Sequence, residues 1–253
     1  MMKNNEESGS LKLSAARKAL LEKLLEEENL IRSDRLSIPR RSSQGPARLS
    51  FAQERLWFLY LLEGGSATYN VSMPFRLQGA VDIAALQRAL NRLAQRHEVL
   101  HTRFAMLDGE PRQIVEPQLD LTIEVEDLSA LPPDERYPQA MQRAKEEGRR
   151  PFDLTSAPLL RAHLWQLDKQ DFLFLLSLHH NIFDEWSQEV LYRELAVLYA
   201  AERSGREADL PELPIQYADF AEWQAAWLEG EAAQKQLHYW KDKLSGAPHI
   251  LEL

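Results

Sequence analysis

The 253-residue chain contains no cysteine. That excludes disulfides, thiolate chemistry and any zinc site built on cysteine, and it fits a reducing cytoplasm. No apolar run approaches the roughly 20 residues a helix needs to cross a bilayer. The N-terminus is polar and acidic, unlike a secretory signal. Positive charge is also short: 30 Lys and Arg against 39 Asp and Glu give a formal net charge of -9, which argues against nucleic-acid binding. The chain has no Gly-rich phosphate loop, no Gly-x-Ser-x-Gly elbow of the kind serine hydrolases use, and no internal repeat. What is left is an ordinary globular composition, 44% hydrophobic and 27% charged, with length for one large domain or two small ones.

One stretch organises the rest. Phe172 to Leu178 is apolar except for Ser177. A run that short reads as a strand buried on both faces, in the middle of a mixed or parallel sheet. It stops at His179-His180, and Asp184 and Ser187 follow. A helical pattern then places Val190, Leu191, Leu195 and Leu198 on one face. In α/β folds such strand ends are where ligands bind. Adjacent side chains at a strand end point roughly opposite ways, so one histidine faces a pocket and the other is tied into the scaffold. A pocket-facing imidazole suits a general base or proton shuttle. Asp184 would orient a histidine or pair with a buried arginine. Two other readings stay open: a satisfied core histidine, and a metal site that lacks a second ligand cluster to complete it.

Along the chain, Leu13 to Glu28 reads as a charged amphipathic helix, and residues 32–47 as an extended basic linker rich in Ser and Pro. The globular part is expected to begin near Leu49. Ser50 with Gln53 makes a capping box for a helix that packs Leu56, Trp57 and Leu59 inward and ends at Gly64-Gly65. Val71 to Leu77 is strand-like. Asp82 caps a helix carrying Ile83, Leu86, Leu90 and Leu93. The end of Arg96–Phe104 looks like a strand, turned at Asp108–Pro111 into a hairpin with Gln113–Val115. Leu121–Val125 is a further strand and Pro132–Glu147 a polar helix. Leu159–Leu167 alternates and should pair with the central strand. From Tyr217 an aromatic-rich helix is expected to run to about Leu244.

Four segments together resemble the condensation domain of non-ribosomal peptide synthetases. Leu49–Leu59 resembles Ser-x-Ala-Gln-x-Arg-Leu-Trp, and Arg96–Phe104 resembles Arg-His-Glu-x-Leu-Arg-Thr-x-Phe. His179–Glu185 resembles His-His-x-x-x-Asp-Gly, and Tyr217–Gln224 resembles Tyr-x-Asp-Phe-Ala-x-Trp. All four stand in the family's order, and Tyr239-Trp240-Lys241 with Leu251-Glu252-Leu253 look like its linker between lobes.

The resemblance implies an α/β fold, an α+β sandwich like a chloramphenicol acetyltransferase lobe, with a mixed central sheet flanked by helices. It divides the chain into an N-terminal helix and linker, 1–47, and an N-terminal lobe, 48–253, with the C-terminal lobe absent. It implies amide formation between an acyl donor and an aminoacyl acceptor, both tethered to carrier-protein phosphopantetheine. No cofactor or metal would be bound by the domain itself. Partners would be carrier proteins and adjoining synthetase domains, with no nucleic acid and no membrane. His180 would be catalytic, orienting the amine and relieving its proton. His179, Asp184 and Arg96 would be scaffold, with Asp184 paired to Arg96 because a lone buried carboxylate is costly.

Two departures stand out. The motif's glycine is Glu185, expected to crowd His180 and raise its pKa. The motif's second arginine is His101, which removes a permanent cation. Two alternatives follow: a degenerate, non-catalytic module that binds carrier proteins or other synthetase parts, and a related acyltransferase using coenzyme A or a hydroxyl acceptor. Trp57, Phe104, Phe220 and Trp223, and likewise Phe183 and Trp186, read as packing residues.

Overall fold

The computed structural model describes residues 38–117, 119 and 121–248. The expected helix at Leu13–Glu28 and the Leu251–Leu253 segment lie outside these residues.

Elements in chain order are β1 (Ala47–Arg48), α1 (Phe51–Glu63), β2 (Asn70–Gln78), α2 (Ile83–Arg96), a 3-10 turn (Glu98–His101), β3 (Thr102–Leu107) and β4 (Glu110–Val115). Then come β5 (Ile123–Asp127), α3 (Pro133–Gly148), β6 (Leu160–Asp168), β7 (Asp171–His179), α4 (Glu185–Ser204), α5 (Tyr217–Glu229) and α6 (Glu231–Leu244). The main sheet has four strands in the order β2-β7-β6-β5. It is mixed: β7 pairs antiparallel with β2 and β6, while β5 and β6 run parallel. A second sheet of three strands, β1-β4-β3, stands apart from it, where the sequence reading expected one central sheet.

The apolar run became β7, buried from Phe172 through His179. Its period of two divides it between two cores. Phe172, Phe174, Leu176 and Leu178 pack with the stripes of α2 and α4, while Leu173 and Leu175 pack with Trp165, Ala140 and Ala144 under α3. Each fully buried side chain of this kind contributes roughly 2 kcal/mol. The strand is thus clamped on both faces, and its end is held rigidly.

Local signals explain the helices nearest that end. Gln53 N–H donates to Ser50 Oγ at 3.3 Å and Ser50 N–H donates back to Gln53 Oε1 at 3.0 Å, the expected capping box. Gly64 ends α1 at φ 70°, a left-handed conformation that glycine adopts without Cβ strain. Asp82 caps α2 through Ala85 N–H at 2.9 Å. The long final helix is instead two, broken at Gly230, whose φ -81° and ψ 165° are extended. The compact unit that holds these elements begins at Pro39, ahead of the start expected near Leu49.

Candidate active site

The end of β7 separates its two histidines. His179 N–H donates to Leu159 O at 3.0 Å and His180 N–H to Tyr69 O at 2.8 Å, so both backbones are fixed by neighbouring strands and loops. His179 is 2% exposed. Its Nδ1 accepts the Asn181 backbone N–H at 3.1 Å, so the neutral ring carries its proton on Nε2. Phe152 meets the ring edge-on, centroids 6.3 Å apart. Burial, and secondly the neighbouring His180, push the His179 pKa down to about 4. His179 is therefore a buried, neutral ring at ordinary pH.

His180 is exposed and lines a cleft of about 310 Å³. Gln53, Leu56, Tyr69, Phe183 and Tyr217 form other parts of its wall. Two hydrogen bonds draw distant segments to this cleft. Gln53 Nε2 donates to Asn181 O at 3.2 Å, tying α1 to the turn after β7. Ser50 Oγ and Tyr217 Oη lie 2.9 Å apart, tying the α1 cap to the start of α5. Burial raises the Tyr217 pKa, opposed by the Ser50 hydrogen bond and reinforced by Asp184, so the phenol stays neutral and able to donate. Sequence reasoning had left Ser50, Gln53 and Tyr217 as fold residues. The available signal was that Ser50 and Gln53 in the first motif and Tyr217 in the fourth set a polar group beside an apolar helix face.

Asp184 lines the same cleft and is exposed. It is the N-cap of α4: Oδ1 accepts Ser187 N–H at 2.8 Å and Ser187 Oγ–H at 2.5 Å. The expected Asp184–Arg96 pair does not form. Arg96 Nε donates to Glu194 Oε2 at 2.9 Å, and Arg96 also donates to Pro211 O. His97 Nε2 lies 2.8 Å from the same Glu194 oxygen. Burial alone would raise the Glu194 pKa, but hydrogen bonds from His97 and Arg96, with their charges, hold it below the usual range. Glu194 is 4% exposed, so it meets the demand for a partner that the sequence reading placed on Asp184. Arg96 lies outside the cleft, tied to α4 through Glu194.

Glu185 is the exposed first residue of α4 and is not part of the cleft wall. Its φ is not positive, so no left-handed backbone required glycine here. The expectation that it crowds His180 is corrected accordingly. His101 is buried, with Nδ1 hydrogen-bonded to Glu116 O, and stands clear of the cleft. Phe183 packs inside at 5% exposure, but Trp186 is 82% exposed and is not a packing residue. Among the described residues no group of three or more His, Asp or Glu is placed to hold a metal ion, and no helix is long and apolar enough to cross a membrane.

The arrangement offers one imidazole to a partly apolar cleft, with a neutral phenol and a carboxylate nearby. That set can orient and deprotonate an amine or hydroxyl nucleophile.

Comparison with known proteins gives a consistent result. The family model described as "Condensation domain" matches residues 43–253. The chain is 43% identical over 240 residues to a linear gramicidin synthase of Brevibacillus parabrevis, covering 95% of this chain and 3% of that protein. It is 45% identical over 218 residues to phosphinothricin tripeptide synthetase PhsC of Streptomyces viridochromogenes, covering 86% and 20%. Among solved structures, the X-domain in complex with OxyB from teicoplanin biosynthesis matches with TM-score 0.72 at 28% identity, covering 86% of this chain and 47% of that one. The first condensation domain of the CDA synthetase matches with TM-score 0.70 at 22% identity, covering 83% and 53%, a likeness of fold. The chain thus spans a small part of the curated relatives and about half of each of these solved chains.

Proposed function

The chain belongs to the condensation-domain family, and from that premise we propose that it supplies His180 to amide formation in a non-ribosomal peptide synthetase. The acyl donor is a thioester on one carrier protein's phosphopantetheine, and the nucleophile is the amine of an aminoacyl thioester on another. The new bond joins that nitrogen to the thioester carbonyl carbon. The C–S bond breaks, the donor arm leaves as a thiol, and the amine proton passes to His180 and on to the departing sulfur. A fixed His180 backbone favours positioning, and gathering two tethered substrates is itself a large rate term. His179 and Asp184 serve by holding the turn and the start of α4.

The observation that carries this reading is the division of labour at the strand end. His180 alone of the pair faces a cleft, and Gln53, Asn181, Ser50 and Tyr217 from three motif segments are hydrogen-bonded around it. In this reading the described cleft is one wall of the site. The other wall comes from the rest of a two-lobed domain, and chain 1–253 alone does not condense substrates.

The test is amide formation by the full-length protein that carries this chain, using acyl-loaded and aminoacyl-loaded carrier proteins and mass spectrometry of the products. Amide that depends on both loaded carriers supports the reading. Equal transfer from a coenzyme A thioester would point to a coenzyme A-dependent acyltransferase. Carrier binding without product would point to a binding module.

A further inference from the structure

The segment just before the first motif was expected to be an extended linker, yet it is laid along α5. Arg40 donates to Pro214 O at 2.8 Å and Leu213 O at 2.9 Å. Arg48 N–H donates to Glu222 Oε1 at 2.8 Å and Phe51 N–H to Gln224 Oε1 at 3.0 Å. Between them Arg41 is buried, with its side chain 6% exposed. Its Nη2 donates to Glu98 Oε2 at 2.9 Å, its Nε is 4.0 Å from Asp219 Oδ1, and its backbone N–H donates to that oxygen at 3.0 Å.

Glu98 and Asp219 belong to two different motifs, and each is wired to the first turn of α5. Asp219 Oδ2 accepts Gln216 N–H at 2.8 Å. Gln216 in turn accepts from Glu98 N–H at 3.1 Å and donates to Arg96 O at 3.0 Å. The next residue is Tyr217, whose hydroxyl meets Ser50 at 2.9 Å on the wall of the His180 cleft. Without Arg41, the buried Asp219 and the part-buried Glu98 lose the cation they share. Like charges so placed repel, and each needs water or a partner to stay ionised. The turn they anchor is the one that aims Tyr217.

We infer that Arg41 is a positioning residue for the cleft: it neutralises Glu98 and Asp219 together and thereby sets the α5 turn that presents Tyr217 beside His180. The inference rests on reading that cleft as the condensation site. It also makes the segment just before the first motif part of the site's support.

The test uses Arg41→Ala, Arg41→Lys, Tyr217→Phe and the double variant Arg41→Ala/Tyr217→Phe in the full-length protein, well below the unfolding midpoint. Arg41→Ala is expected to lower kcat roughly ten- to hundredfold, the scale of a misplaced contact. Arg41→Lys should restore much of that, and the double variant should be no slower than Tyr217→Phe alone. Multiplying effects in the double variant would overturn the inference, because Arg41 would then act elsewhere.

A second arm needs no activity. Hydrogen exchange should speed up at amides 217–221 in Arg41→Ala while α2 stays protected. Exchange unchanged there, or raised equally throughout the fold, overturns the inference. A native protein that forms no amide would sink the functional reading, while the exchange arm would still decide the role of Arg41. Asp219→Asn repeats both arms if Arg41→Ala does not fold.

Discussion

Nδ1 of His179 accepts the backbone N–H of Asn181 at 3.1 Å, inside a site where the ring is 2% exposed. Burial, and secondly the neighbouring His180, hold the pKa near 4, and protonating Nδ1 would also break this bond. The folded value lies below the ordinary histidine value of 6.5, so the unfolded chain binds the proton more tightly. Stability from this group is therefore complete above about pH 6.5 and is lost as pH falls toward 4, by up to about 3 kcal/mol. His179→Asn keeps an acceptor near Nδ1 and does not titrate. Urea unfolding at pH 7 and pH 4.5 should show a larger loss for the native chain than for the variant. Equal losses would refute a neutral, buried His179.

The Arg96 partnership gives a second prediction. Glu194→Ala leaves the Arg96 guanidinium largely buried without its carboxylate and should cost about 3–5 kcal/mol. Asp184→Ala removes only an N-cap and should cost about 1 kcal/mol. A double-mutant cycle should find Arg96 coupled to Glu194 and not to Asp184. Coupling to Asp184 would restore the original expectation.

These two cases show what the sequence could and could not carry. The Ser50–Gln53 capping box, the buried β7 and the split between His179 and His180 are set by neighbours within a few residues or by strand alternation, so they were legible. The Arg96–Glu194 pair spans 98 residues, and a motif names a residue without naming its partner. Asp184 was close in sequence to the histidines and took the role by proximity. The break at Gly230 lay in a helix whose flanks both read as helical, and one glycine did not outweigh them. Arg41 sat in a stretch whose Ser and Pro content mimics a linker, and only tertiary contacts reveal its burial.

Glu185→Gly tests the corrected view of that position. Glu185 sits in the first turn of α4, where a negative charge favours the helix, and glycine weakens helices. The substitution should lower stability by about 0.5–1.5 kcal/mol and change the rate of amide formation less than about threefold. A large gain in rate would mean that Glu185 does obstruct the site.

The outer face of α1 leads to a prediction about association. Phe51, Phe58 and Leu62 recur at helical spacing and are 52%, 62% and 71% exposed, with Leu61 beside them at 55%. Such a patch favours contact with another surface. Sedimentation of chain 1–253 should show reversible self-association that Phe58→Glu/Leu62→Glu abolishes. A monomer at all concentrations would contradict it.

The central claim is that the imidazole of His180 handles the amine. It is tested most directly by single-turnover amide formation in the full-length protein, comparing native with His180→Ala after both carriers are shown to be loaded. The account predicts a loss of at least about 100-fold in the rate of amide formation, with carrier loading and the unfolding midpoint unchanged. A variant that condenses at the native rate would contradict it.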